Sequence, residues 1–239
     1  MESQNNITCK VVLVGDTGVG KTCIIQRYVN NKYTENVEST VASTYTYKVL
    51  DYPKYNKSIS FDIWDTAGQE LYRALAKNFY LNASIGILVY DIRRKSSFES
   101  IQNYWYEQLK ESGEENMIIG IAGNKCDLFQ EEEVSEEEVK KFAKSVGAIF
   151  KLTSCKESIG IDELFEECGK KYLEVNNLLT VDNKPKKDNK VKLENNINNN
   201  NNETKPKKKC CEYFLGFILY KNIYNNLNLL LNFIKFKLF

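Results

Sequence analysis

Three stretches of the chain are apolar at nearly every position: Cys9–Gly15 (CKVVLVG), Ile85–Asp91 (IGILVYD) and Met117–Asn124 (MIIGIAGN). Short unbroken apolar runs of this kind are the pattern of strands buried on both faces. Elsewhere the apolar spacing changes to three and four, which predicts helices over Lys21–Asn30, Ser96–Glu111, Ser135–Val146 and Asp162–Val175. Buried strands alternating with helices build an α/β fold, a mostly parallel sheet covered on both faces. The segment Tyr45–Asp65 differs, with two strands flanking a Pro-Lys-Tyr-Asn turn, and predicts a hairpin that adds one antiparallel edge strand. Ser135 and Glu138 have capping-box spacing, and the glutamates around them suit a helix N-terminus. No internal repeat is present.

The pattern fades near Asn176, which sets the expected organisation: a folded domain over 1–176, a disordered linker over 177–211, and an apolar, Asn-rich extension over 212–239. The linker centre, Glu194–Glu203, is almost all asparagine and cannot bury enough apolar area to offset the entropy of ordering. Charge is divided the same way. The linker between Lys184 and Cys211 holds nine lysines against Asp188, Glu194 and Glu203, the extension holds three against Glu212, and the overall charge of +1 therefore leaves −7 on the first 183 residues. An acidic body with a basic tail points away from nucleic acid and toward tethering at an anionic membrane surface. The seven cysteines form no CxxC pair, histidine is absent, and the first residues, MESQNNIT, lack the apolar core of a signal peptide. A cytosolic chain with reduced thiols is expected, and Glu2 rules out N-myristoylation.

The chemistry lies where predicted strands end. GDTGVGKT, Gly15–Thr22, matches the phosphate-loop pattern G-x-x-x-x-G-K-[ST] between a strand and a helix. Gly15, Asp16, Thr17, Gly18, Val19 and Gly20 offer backbone N–H groups to phosphate, Lys21 is expected at the β- and γ-phosphates, and Thr22 at Mg²⁺, with Cys23 next in line. In WDTAGQE, Trp64–Glu70, Asp65 ends a strand where it suits a water-mediated metal contact, Gly68 can approach a γ-phosphate, and Gln69 is placed to orient an attacking water. NKCD, Asn124–Asp127, follows another strand. The Asp127 carboxylate can accept from two adjacent donors, which guanine offers and adenine does not, while the Lys125 stem can lie over the base. TSCK, Thr153–Lys156, ends the next strand, so the backbone of Ser154, Cys155 and Lys156 can meet the guanine oxygen.

GDTGVGKT, Thr40, WDTAGQE, NKCD and TSCK in this order resemble the Ras superfamily of small GTPases. LVYDI (Leu88–Ile92), the pair Phe79-Tyr80 and a double cysteine after a long tail resemble the Rab family within it, and Leu71–Ser84 is similar to its early-endosomal subgroup. The resemblance implies a three-layer P-loop GTPase fold with a mostly parallel six-stranded sheet. It implies a monomeric switch that binds GTP and GDP with Mg²⁺ and acts in vesicle trafficking with an exchange factor, a GTPase-activating protein and effectors. It assigns Tyr33 to packing on guanine and Thr40 to the Mg²⁺ shell of the GTP state. Tyr45, Trp64 and Phe79 match the aromatic triad that effectors read, although packing beneath the switches is an equal reading of Trp64. Cys155 stands where the family has alanine, Val41-Ala42-Ser43 depart from its usual sequence after the threonine, and Leu71 replaces an arginine. No arginine lies between Arg27 and Arg73, so switch I supplies no arginine in cis, and turnover on the order of 10⁻⁴ s⁻¹ is expected without an activating protein. A nucleotide-binding membrane adaptor that does not switch is the rival reading, motivated by the altered switch I and the apolar C-terminus.

For such a protein KKKCC is a membrane anchor, with Cys210 and Cys211 prenylated and the chain held on the cytosolic face of endomembranes. Prenylation needs cysteines at or very near the C-terminus, and residues 212–239 intervene. Ile223, Leu227, Leu230, Leu231 and Ile234 share one helical face, which fits an interfacial helix. The same composition is what translated AT-rich noncoding DNA gives, in which case the native product lacks this extension.

Overall fold

The computed structural model describes residues 6–35, 40, 44–66 and 79–179. All of them fall within the unit Met1–Asp182. β1 (Asn6–Val14) leads through the phosphate loop into α1 (Lys21–Asn30), and β2 (Thr44–Tyr52) and β3 (Lys57–Asp65) form the hairpin. Its turn is one 3₁₀ turn, Pro53–Tyr55, closed by Asn56 in the left-handed region at φ 50°. β4 (Ile85–Asp91) and β5 (Ile118–Asn124) are buried at every position. α4 (Glu136–Val146), β6 (Ile149–Thr153) and α5 (Ile161–Val175) complete the order, after α2 (Lys95–Ser100) and α3 (Tyr106–Ser112) between β4 and β5.

The six strands lie in the order β2-β3-β1-β4-β5-β6, with β2 antiparallel to β3 and every other pairing parallel. The alternation along β1 explains the layering. Val11 and Leu13 enter one core with Ile24 and Tyr28 of α1 and Leu164, Phe165 and Cys168 of α5. Val12 and Val14 enter the other with Phe98 of α2, Leu109 of α3, and Val139 and Ala143 of α4. Helices thus cover both faces, as the apolar runs predict. Parallel strands also bring the loops after β1, β3, β4, β5 and β6 to one edge of the sheet, where open α/β folds bind ligands.

Beyond shifts of one to three residues at element ends, two features differ from the sequence reading. The single helix expected over Ser96–Glu111 is two α segments joined by a π turn, Ile101–Trp105, closed by a bond from Tyr106 N–H to Ile101 O. The turn ends at Trp105, a buried indole whose N–H requires a partner. The fold also runs past Asn176: Leu178 donates its N–H to Leu173 O at 2.8 Å, and Leu178 and Leu179 pack on the first core. At α4 the expected cap is present, the Ser135 hydroxyl accepting from Glu138 N–H, with Gly147 at φ 67° ending the helix.

Candidate functional site

In the loop Gly15–Gly20 every backbone carbonyl is taken. Lys21 Nζ donates to Gly15 O at 2.6 Å and Asp16 O at 3.0 Å. Arg94 Nη2 donates to Thr17 O at 3.0 Å, Lys125 Nζ to Gly18 O at 2.8 Å and Asn124 Nδ2 to Val19 O at 2.8 Å. Gly20 O accepts from Ile24 N–H, the first bond of α1. In a trans peptide the N–H opposes the carbonyl. Pinning each oxygen therefore turns the intervening N–H groups the other way, a concave row of donors of the kind that binds anions. Gly15 and Gly20 hold φ of 146° and 101°, and a Cβ at either would collide with Val89 O or Asn124 Nδ2. Burial pushes the Lys21 ammonium down to about 8, with Asp65 and Asp16 pulling it back up and Arg94 adding to the depression.

Beside the loop is a corner suited to a hard cation. The Thr22 hydroxyl lies 2.7 Å from the Thr40 hydroxyl and donates to Asp65 Oδ2 at 2.7 Å. The other carboxylate oxygen, Asp65 Oδ1, is buried without a hydrogen-bond partner among the described residues. Burial raises the Asp65 carboxyl above its ordinary value, against the pull of Thr22 and Lys21. An orphaned carboxylate oxygen beside two hydroxyls fits Mg²⁺, which takes oxygen ligands and usually keeps several waters.

The opposite end of the cleft is held by long-range ties. Asn124 is buried and does not reach outward: its Nδ2 grips the phosphate loop, while its Oδ1 accepts from Thr153 Oγ1 at 3.2 Å and Cys155 Sγ at 3.6 Å. Ser154 Oγ donates to Asp127 Oδ1 at 2.6 Å, which fixes that carboxylate at the pocket wall. Arg27 of α1 donates from Nε to Cys155 O at 2.7 Å and from Nη2 to Lys156 O at 3.3 Å, turning both carbonyls toward α1. The resulting cleft has a volume of about 320 Å³. Thr17, Gly18, Gly20, Lys21, Thr22, Cys23, Tyr33, Thr40, Asn124, Lys125, Asp127, Cys155 and Lys156 line it. Gly15, Asp16, Val19, Asp65 and Ser154 stand behind these as supports.

Glu35, Thr66, Arg93 and Leu128 also line the cleft and were missed by motif reading. Arg93 Nη2 and Lys125 Nζ both contact Asp91 Oδ2, at 3.1 and 2.7 Å, and Arg93 Nη1 reaches Glu131 Oε2 at 3.2 Å. Burial opposes ionisation of Asp91, but Arg93 and Lys125 overcome it and hold the carboxyl below the usual range. Two consecutive arginines directly after a buried strand, at the ligand-binding edge, are the signal that could have pointed here.

The three aromatic residues of the expected partner surface meet. Tyr45 and Trp64 are 5.4 Å apart by ring centroids and Trp64 and Phe79 5.9 Å, with Tyr45 53% exposed. Gly68, Gln69, Cys210 and Cys211, the departures at Val41–Ser43 and Leu71, and the extension 212–239 lie outside the described residues.

A family model described as Ras family matches residues 10–174. Ras-related protein Rab-22A of Homo sapiens is 43% identical over 162 residues, spanning 68% of this chain and 82% of that protein. Its Mus musculus counterpart is 37% identical over 202 residues, 84% of this chain and 97% of that protein. Ras-related protein Rab-31 of Homo sapiens is 43% identical over 157 residues, 66% of this chain and 79% of that protein. Phosphate loop, base pocket and these matches agree: the chain belongs to the Ras family, as a Rab-like small GTPase, a GTP hydrolase of membrane trafficking.

Proposed function

We propose that the chain is a switch of endosomal membranes, held on their cytosolic face, whose 320 Å³ cleft takes GTP or GDP together with Mg²⁺. The observation that carries this reading is the pair of Asn124 bonds, which makes the phosphate loop and the Asp127–Ser154 base wall one preformed unit. Asp127 accepts from the two adjacent N–H donors of guanine, Lys125 covers one face of the base and Tyr33 stands at its rim. Loop amides and Lys21 hold the phosphates. Thr22, Thr40 and Asp65 would hold Mg²⁺, which when bound neutralises developing phosphate charge.

In hydrolysis a water oxygen bonds to the γ-phosphorus, the bond to the β–γ bridging oxygen breaks with its electron pair staying on GDP, and the water proton passes to phosphate. Gln69 orients that water. Thr40 and Gly68 sense the γ-phosphate, so the surface around Tyr45, Trp64 and Phe79 is presented to effectors in the GTP state. An exchange factor and an activating protein set the two rates, and Cys210 and Cys211 carry the membrane anchor. Leu179, the last described residue, packs on the first core, and the lysine-rich segment follows it in sequence.

The test is competition for bound fluorescent GDP by GDP, GTP and ADP with and without Mg²⁺. Displacement by guanine nucleotides alone, strengthened by Mg²⁺, is expected. Equal displacement by ADP would overturn the assignment of Asp127.

A further inference from the structure

Arg93 and Arg94 are neighbours with opposite circumstances. Arg93 is neutralised twice, by Asp91 and by Glu131. Arg94 has no ion pair among the described residues. Its Nη2 donates to Thr17 O at 3.0 Å, and its Nε is buried without a hydrogen-bond partner. A buried guanidinium N–H left unpaired among the described residues costs free energy that a folded chain ordinarily avoids. Lys21, the residue that reaches the β- and γ-phosphates, holds Gly15 O and Asp16 O, and Arg94 holds the next carbonyl, Thr17 O, so the two cations grip consecutive residues of one loop. Three cations hold the phosphate loop, Lys125 is paired with Asp91, and Arg94 keeps an unspent donor beside Lys21.

Like charges held together repel until an anion arrives, and the relief grows with the anion's charge. GTP carries more negative charge than GDP at the γ-phosphate end. A third observation fixes where the strain acts: Thr17 lines the cleft, so Arg94 grips the wall of the site through a main-chain oxygen. We propose that Arg94 is a positioning residue for GTP hydrolysis, a cation supplied in cis from the end of β4 that sets the Thr17 limb of the phosphate loop and favours the triphosphate over the diphosphate. It does so through Thr17 and the field at Lys21. Switch I plays no part in it. The inference rests on the reading that this cleft takes GTP.

The test is single-turnover hydrolysis of GTP preloaded on the full chain, comparing wild type, Arg94→Gln and Arg94→Lys. Affinities for GDP and for a non-hydrolysable GTP analogue are measured alongside. Arg94→Gln is expected to slow hydrolysis about tenfold, less than the roughly 10²–10³-fold cost of removing a donor in direct contact with the reacting oxygen, because Arg94 acts through Thr17. It should also lower the analogue-to-GDP affinity ratio about fivefold, a modest share of what charge-assisted contacts contribute. Arg94→Lys keeps the charge without the planar fork and should recover part of both. Hydrolysis at the wild-type rate in Arg94→Gln would overturn the proposal. So would equal losses of GDP and analogue affinity with an unchanged rate per bound GTP, since that is the result of a brace alone. If Arg94→Gln does not fold, Arg94→Lys decides, by showing or lacking a rate loss at retained GDP affinity. Failure of the wild type to bind GTP would instead sink the cleft assignment, and is read separately.

Discussion

Trp105 Nε1 lies 2.9 Å from Asp16 Oδ1, so the last residue of the π turn donates to the second residue of the phosphate loop across 89 positions of sequence. The indole is buried, and the bond joins the helix layer of one face to the edge that meets phosphate. Trp105→Phe keeps most of the packing and removes the donor. Losing a hydrogen bond to a charged group costs about 1.5–3 kcal/mol. Denaturant unfolding of the GDP-bound protein should show a loss of that size with faster GDP release, whereas an unchanged midpoint would mean Asp16 draws its support elsewhere.

Binding should depend on pH through Lys21, whose ammonium burial has lowered to about 8. The nucleotide-free protein sheds this proton as pH rises through about 8, whereas the unfolded chain keeps it to the ordinary lysine value, so the free protein gains stability over that interval. Bound phosphate favours the ammonium. Nucleotide affinity should therefore fall as pH rises from neutrality past 8, with proton uptake on binding. Calorimetry in two buffers of different ionisation enthalpy measures that uptake directly, and none at pH 9 would contradict it.

Asp127 is fixed by Ser154 Oγ at 2.6 Å, and its proposed task is to accept from paired donors of guanine. Asp127→Asn exchanges one acceptor for a donor. Guanine affinity should drop by two or more orders of magnitude, since a site built for a hydrogen bond rejects a mismatched partner by about 10⁴–10⁵ at the extreme. Xanthine nucleotides, with a carbonyl in place of the guanine amine, should gain correspondingly. Competition with both nucleotides reads the exchange.

Gln69→Leu removes the group proposed to orient water and changes no residue of the phosphate loop. Nucleotide affinity should stay within twofold of wild type while single-turnover hydrolysis slows by about 10–100-fold, the scale of lost positioning. Hydrolysis at the wild-type rate would assign the water to another residue.

How much was legible in the sequence follows from distance along the chain. Lys21 and Thr22 sit within eight consecutive residues, and apolar runs and local spacing encode the strand and helix that frame them, the helix matching its expected span and the strand beginning three residues early. The Ser135 cap was equally local. Arg94, Trp105 and Arg27 act across 77, 89 and 128 residues, and nothing in their own neighbourhoods announces the oxygen each will meet. The π turn was invisible for a related reason, since an apolar stripe of threes and fours reads the same when one turn widens. Asn124 was legible as a site residue but its task was not. It ties two loops together, which in the proposed reading leaves the base to Asp127.

Apart from Trp105 on Asp16 and Ser154 on Asp127, the grips on the phosphate loop and base loop close on main-chain oxygens, and every residue has one of those. Positions that are held can therefore drift in side chain, while the side chains that do the holding cannot. Cys155 is the local instance: Arg27 takes its carbonyl, so a thiol can occupy the position without shifting the backbone around the base. Divergence in this nucleotide site should accumulate on the held residues whose side chains lie outside the core, and a mutational scan would find Arg27, Asn124 and Lys125 far less replaceable than Thr17.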